Sequence, residues 1–76
     1  MKFKTGDRVR IVKIEDIKRY YGGYVLGDVG TIVLMNSSNM DYIVKFDRLE
    51  ETYPEIANWF VPEAWLELDN RLVKYE

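Results

Sequence analysis

The sequence predicts an all-β fold, a small barrel of five short strands with two long loops and a short helical turn before the last strand. Three observations carry it. Val9 and Ile11 alternate with Arg8 and Arg10 near the start of the chain, the period-two pattern of a strand with one buried face. Leu66 and Leu68 alternate with Glu67 near its end, so the first and last strands are expected to pair. Between them, runs rich in β-branched and aromatic residues are bounded by Gly, Asn, Ser and Pro, the punctuation of short strands.

In chain order, Lys4-Thr5-Gly6-Asp7 is a turn leading into the first strand. The stretch from Ile14 to Tyr24 is polar and aromatic and contains Gly22-Gly23. Ile14, Ile17 and Tyr21 would share one helical turn, but the stretch is too short for a stable helix, and we read it as a long loop. Gly27-Asp28-Val29-Gly30 then opens a central strand, Thr31 to Met35. Asn36-Ser37-Ser38-Asn39 has the composition of a four-residue hairpin connection. The returning strand is Tyr42 to Phe46, with Val44 and Phe46 on one face and Lys45 on the other. Residues 48–58 form the second long loop; Thr52 and Glu55 stand at capping-box spacing and Pro54 suits a first turn, so a single helical turn fits there. A short strand, Trp59 to Val61, ends at Pro62, which cannot donate to a ladder. Glu63-Ala64-Trp65 makes one tight turn, after which Leu66 and Leu68 are expected to point inward and Glu67 outward.

Composition bounds what such a chain does. A single 76-residue domain leaves little core from which to build a deep pocket. There is no cysteine and no histidine, which removes the thiol nucleophile, the disulfide framework and the commonest general base and metal ligand. Ser37 and Ser38 fall in the predicted turn. Asp47, Glu50, Glu51 and Glu55 form a run of carboxylates without the spacing or glycine of a calcium loop, and we read them as a solvated face. Gly22-Gly23 and Gly27 with Gly30 lack the Lys-Ser/Thr of a phosphate loop and are read as structural. The expectation is a protein that is not an enzyme, with no cofactor and no metal. No apolar run approaches the roughly 20 residues that span a bilayer, and nothing at the N-terminus has the apolar core of a signal sequence. Cytoplasm is the expected location.

Charge is unevenly spread although the net value is only −2. Residues 1–19 carry seven bases against three acids, and residues 47–69 seven acids against one base. Either Arg8, Arg10 and Lys13 partly neutralise Glu63, Glu67 and Asp69 across paired strands, or the molecule has two opposite binding patches.

The runs Gly6-Asp-Arg-Val-Arg-Ile, Gly27-Asp-Val-Gly-Thr-Ile-Val, Tyr42-Ile-Val-Lys-Phe-Asp47 and Phe60-Val-Pro-Glu-Ala-Trp-Leu-Glu-Leu, in that order, resemble the SH3-like barrel superfamily. Within it, the pattern over most of residues 6–68 is similar to photosystem I reaction-centre subunit IV and related electron-transport accessory subunits. The last run also looks like the proline, turn and aromatic of signalling SH3 domains, which implies a polyproline groove lined by Trp65, here without the tandem tryptophan. The glycine-centred run is similar to KOW domains, which implies RNA contact.

Two functional readings follow. The first is a non-catalytic protein-interaction module, such as an accessory subunit or a phage-encoded factor docking on a larger protein. Its contact residues would be Lys18, Arg19, Tyr20, Tyr21, Tyr24, Trp59 and Trp65, because Tyr and Trp in loops are common interface anchors; Trp59 or Trp65 would alternatively plug an open end of the barrel. The second is a KOW-like nucleic-acid-binding domain using Lys2, Lys4, Arg8, Arg10 and Lys13 for phosphate. An exposed strand edge would also pair two copies into a homodimer.

Overall fold

The computed structural model describes residues 2–15 and 23–69. Five strands form one antiparallel sheet: β1 (Arg8–Ile11), β2 (Val29–Asn36), β3 (Asp41–Phe46), β4 (Asn58–Pro62) and β5 (Leu66–Leu68), in the spatial order β4-β3-β2-β1-β5. The first and last strands pair as expected, with Val9 opposite Leu68 and Ile11 opposite Leu66. The sheet is unclosed, with β4 and β5 as its outer strands, so the fold is mostly β. Among the described residues, no helix is long and apolar enough to cross a membrane.

Alternation in the sequence becomes alternation in burial. In β1, Val9 and Ile11 are buried between the half-buried Arg8 and Arg10; in β3, Tyr42, Val44 and Phe46 face in, and Asp41, Ile43 and Lys45 face out. Ile32, Val61, Trp65 and Leu66 complete the sheet side of the core, and Phe3, Tyr24, Leu49 and Ala57 close it from the connections. The Tyr24 ring stacks on Phe46 at 5.0 Å, and Phe3 meets Tyr42 edge-on at 5.4 Å. At Gly30 on β2 a Cβ would stand 2.5 Å from the Lys45 carbonyl oxygen of β3, so any side chain there forces the neighbouring strand to shift.

The β2–β3 hairpin turns through Ser37–Met40, one residue later than the sequence suggests, because Asn36 is paired with Asp41. Met40 absorbs the turn with a φ of 55°. Pairing shifts by one between Ile32 and Leu34, leaving Val33 as a bulge.

Two local expectations change. Residues 48–58 are not a long loop: Asp47–Thr52 is a helix, α1, and Pro54–Ile56 a 3-10 turn. Leu49 anchors the helix in the core, and Asp47 and Glu50 favour its N-terminal turn. The Thr52 cap does not form; its Oγ1 instead donates to the Arg48 carbonyl oxygen at 3.1 Å. Leu68 lies on the core side opposite Val9, as expected, but is 44% exposed, since β5 is the last strand of the sheet and nothing described covers its far side. The tight turn before β5 is present as a 3-10 turn, Glu63–Trp65.

Candidate docking surface

The aromatic residues expected to meet a partner divide sharply. Lys18, Arg19, Tyr20 and Tyr21 lie outside the described residues. Tyr24 is fully buried, and its Oη points at the Phe60 carbonyl oxygen 3.5 Å away. Trp65 is 3% exposed and belongs to the core. Both are corrected from contact residues to core residues, for one physical reason: a one-layer sheet with a short helix has too few aliphatic side chains to fill its open side, and the large rings are drawn in. Trp59 is half-buried, opposite Val44 on β3. Its ring lies against Gly23, where a Cβ would come within 2.8 Å of it, and its Nε1 finds no hydrogen-bond partner among the described residues.

The basic residues are placed together on and beside β1, but they are largely neutralised there. Arg8 reaches Asp47 with two nitrogens, at 2.9 and 2.5 Å, and Thr31 at 2.9 Å. That hydrogen bonding pushes the Arg8 guanidinium up and holds the Asp47 carboxyl below its ordinary range, with burial opposing both shifts. Arg10 pairs with Glu67 at 2.9 Å and Asp69 at 3.6 Å. Lys4 pairs with Asp7 at 3.2 Å and Lys13 with Glu15 at 3.6 Å. Lys2 holds its ammonium over the Phe3 ring at 5.6 Å. Of the two charge arrangements open in the sequence, cross-strand neutralisation is found for Arg10, by Glu67, while Arg8 is neutralised by Asp47 at the start of α1. Glu63 is engaged differently: it accepts from Tyr42 Oη at 2.5 Å and from the Lys2 backbone N–H at 2.7 Å. A positive field for phosphate is weak where Lys4, Arg8, Arg10 and Lys13 already have acidic partners.

An apolar surface appears where the sequence pointed to none. Register places Leu34 beside Ile43 and Ile43 beside Phe60, so one row of apolar side chains runs across β2, β3 and β4 on the outer face. Leu34 is 56% exposed, Phe60 44%, and Ile43 half-buried between them. On one side the row is flanked by Thr31, Lys45 and Asn58, and on the other by Asn36, Asp41 and Pro62. The signal for it was in the sequence. Ile32 to Met35, Tyr42 to Val44 and Trp59 to Val61 are unbroken apolar runs, and a strand with only one buried face should alternate instead. A shallow depression of about 360 Å³ lies near the hairpin, lined by Phe3, Lys4, Met35 and Ser37. Among the described residues no three acidic side chains cluster as a metal site.

No family model matches the chain, and no curated protein or solved structure matches it either.

Proposed function

We propose that the protein is a non-catalytic interaction module of the SH3-like barrel type that docks on a protein partner through the outer face of β2, β3 and β4. The observation that carries this reading is the exposed row Leu34–Ile43–Phe60, continuous across three rigid strands. Contiguous apolar surface on a small domain marks a contact site far more often than scattered single residues do. The strand order, with the last strand beside the first and a 3-10 turn before it, supports the barrel type. The lack of cysteine fits the reducing cytoplasm, where the protein would serve as an accessory subunit of a larger assembly. Ion pairing of Arg8, Arg10, Lys4 and Lys13 speaks against the nucleic-acid reading.

The test is capture of partners from host lysate by tagged wild-type protein and by Phe60→Ser, each with and without nuclease. The expected result is a stoichiometric protein that survives nuclease and is lost with Phe60→Ser. Bound material that disappears with nuclease, or a partner retained equally by Phe60→Ser, contradicts the proposal.

A further inference from the structure

We infer that the outer face of this sheet is self-complementary and that two copies of the chain stack through it, face to face, with their β3 strands antiparallel. The inference rests on the reading of the Leu34–Ile43–Phe60 row as a contact surface and names what covers it when no larger partner is bound.

The argument is one of register and charge. The outward residues of β3 are Asp41, Ile43 and Lys45, so an acid and a base stand two residues to either side of an apolar centre. Successive outward side chains are about 6.8 Å apart along a strand, and packed sheets lie about 10 Å apart. A two-fold axis running along the apolar row reverses strand direction between the copies. Leu34, Ile43 and Phe60 then meet their own counterparts, and Lys45 of each copy lies over Asp41 of the other.

The neighbouring strands obey the same symmetry. Thr31, Lys45 and Asn58 form one flanking row, and Asn36 and Asp41 the other, with Pro62 buried beside Asp41. On reversal, Thr31 faces Asn36 and Lys45 faces Asp41, so no like charges oppose. A stack with parallel strands would instead set Asp41 on Asp41 and Lys45 on Lys45, which selects the antiparallel arrangement.

Asp41 has use for such a partner. Its carboxylate makes no ion pair among the described residues, so it can pair across the stack through Oδ2, the Oδ1 being buried without a hydrogen-bond partner. Lys45 reaches Glu50 at 3.3 Å within its own chain but keeps its side chain 44% exposed, leaving donors free. The remaining bases of this face are already neutralised, Arg8 by Asp47 and Arg10 by Glu67, so the stack brings no excess of one sign together. The sheet face, and not a strand edge, is the surface: the Tyr24 hydroxyl stands at the carbonyl of Phe60 on β4, and β5 has three residues with Glu67 at its centre, both of which blunt an edge.

Sedimentation equilibrium of the purified full chain, from micromolar to millimolar concentration, tests this with Asp41→Lys and Lys45→Glu. Wild-type protein is expected to rise from the 9.1 kDa monomer to twice that mass. Each charge reversal alone sets like charges against each other twice and should raise the dissociation constant roughly 100-fold. An equimolar mixture of the two variants restores both opposite-sign contacts and should dimerise again. Phe60→Ser, which leaves every charge in place, should also weaken the dimer. Wild-type protein that stays monomeric overturns the inference, as do single reversals that dimerise like wild type or a mixture that fails to recover. If either reversal fails to fold, a Phe60→Ser protein that dimerises as tightly as wild type still overturns it. A monomeric wild-type protein whose capture of a host partner depends on Phe60 would separate this failure from that of the docking surface itself.

Discussion

At the scale of single residues, the structure turns on a few polar atoms held in awkward places. Tyr42 is one. Its ring is in the core, yet its Oη accepts from the Phe3 backbone N–H at 2.9 Å and donates to Glu63 at 2.5 Å. One hydroxyl therefore ties the N-terminal segment to the turn before β5. Tyr42→Phe keeps the ring and removes that link, leaving a buried N–H unsatisfied; we expect a loss of about 1–3 kcal/mol in urea unfolding. Gly30 is another. Gly30→Ala would press a methyl group on the Lys45 carbonyl and Val44, and forced overpacking of this kind costs roughly 1–3 kcal/mol, read in the same experiment. Neither residue was identifiable from sequence. The tyrosine gives no sign there of which partners its hydroxyl will meet, and the glycine reads equally well as a turn residue.

At the scale of elements, α1 is too short to be stable alone, and contacts to the rest of the chain hold it, among them Leu49 in the core, Asp47 on Arg8 and Arg48 on the turn before β2. Arg48 donates to both oxygens of Asp28, at 3.0 and 2.7 Å, and to the Gly23 carbonyl at 3.0 Å. Burial alone would push the Asp28 carboxyl up, but Arg48 and the Val25 N–H outweigh it and hold it low. Arg48→Ala leaves that nearly buried carboxylate without its cation. It should cost about 1–3 kcal/mol and raise amide exchange across residues 47–56 more than across β1. The strands were legible because alternation and turn residues agree at each of them: Val9 and Ile11, the Asn-Ser-Ser-Asn turn, and Pro62 before the tight turn all stand within a residue or so of where the sequence put them. The helix was not, since Asp47–Thr52 has one buried residue, Leu49, and so carries no helical periodicity. The candidate surface was half legible. Aromatic rings in loops pointed to a contact site but drew attention away from Leu34, Ile43 and Phe60, because only strand pairing brings those three into one row.

At the scale of the whole molecule, charge and stability are linked. Asp7, Asp28, Asp47 and Glu63 all have carboxyls held below their ordinary values by hydrogen bonds from Lys4, Arg48, Arg8 and Tyr42 respectively. As pH falls, the unfolded chain takes up protons at these positions before the folded one does, so protonation favours unfolding. Stability should be level near neutrality and decline as pH drops through the ordinary carboxylate range and below it. Urea midpoints across that range check this; a midpoint that rises on acidification contradicts it. Of these pairs Arg8–Asp47 neutralises a base of β1, in keeping with the proposal that the apolar row on β2, β3 and β4 selects the partner.

Amide shift mapping by NMR, as the captured partner is titrated into labelled protein, tests that claim most directly. The account predicts the largest changes at Leu34, Ile43, Lys45 and Phe60, with little change along Arg8 to Lys13. Changes centred on β1 and the N-terminal lysines, with the three-strand face unmoved, would contradict it.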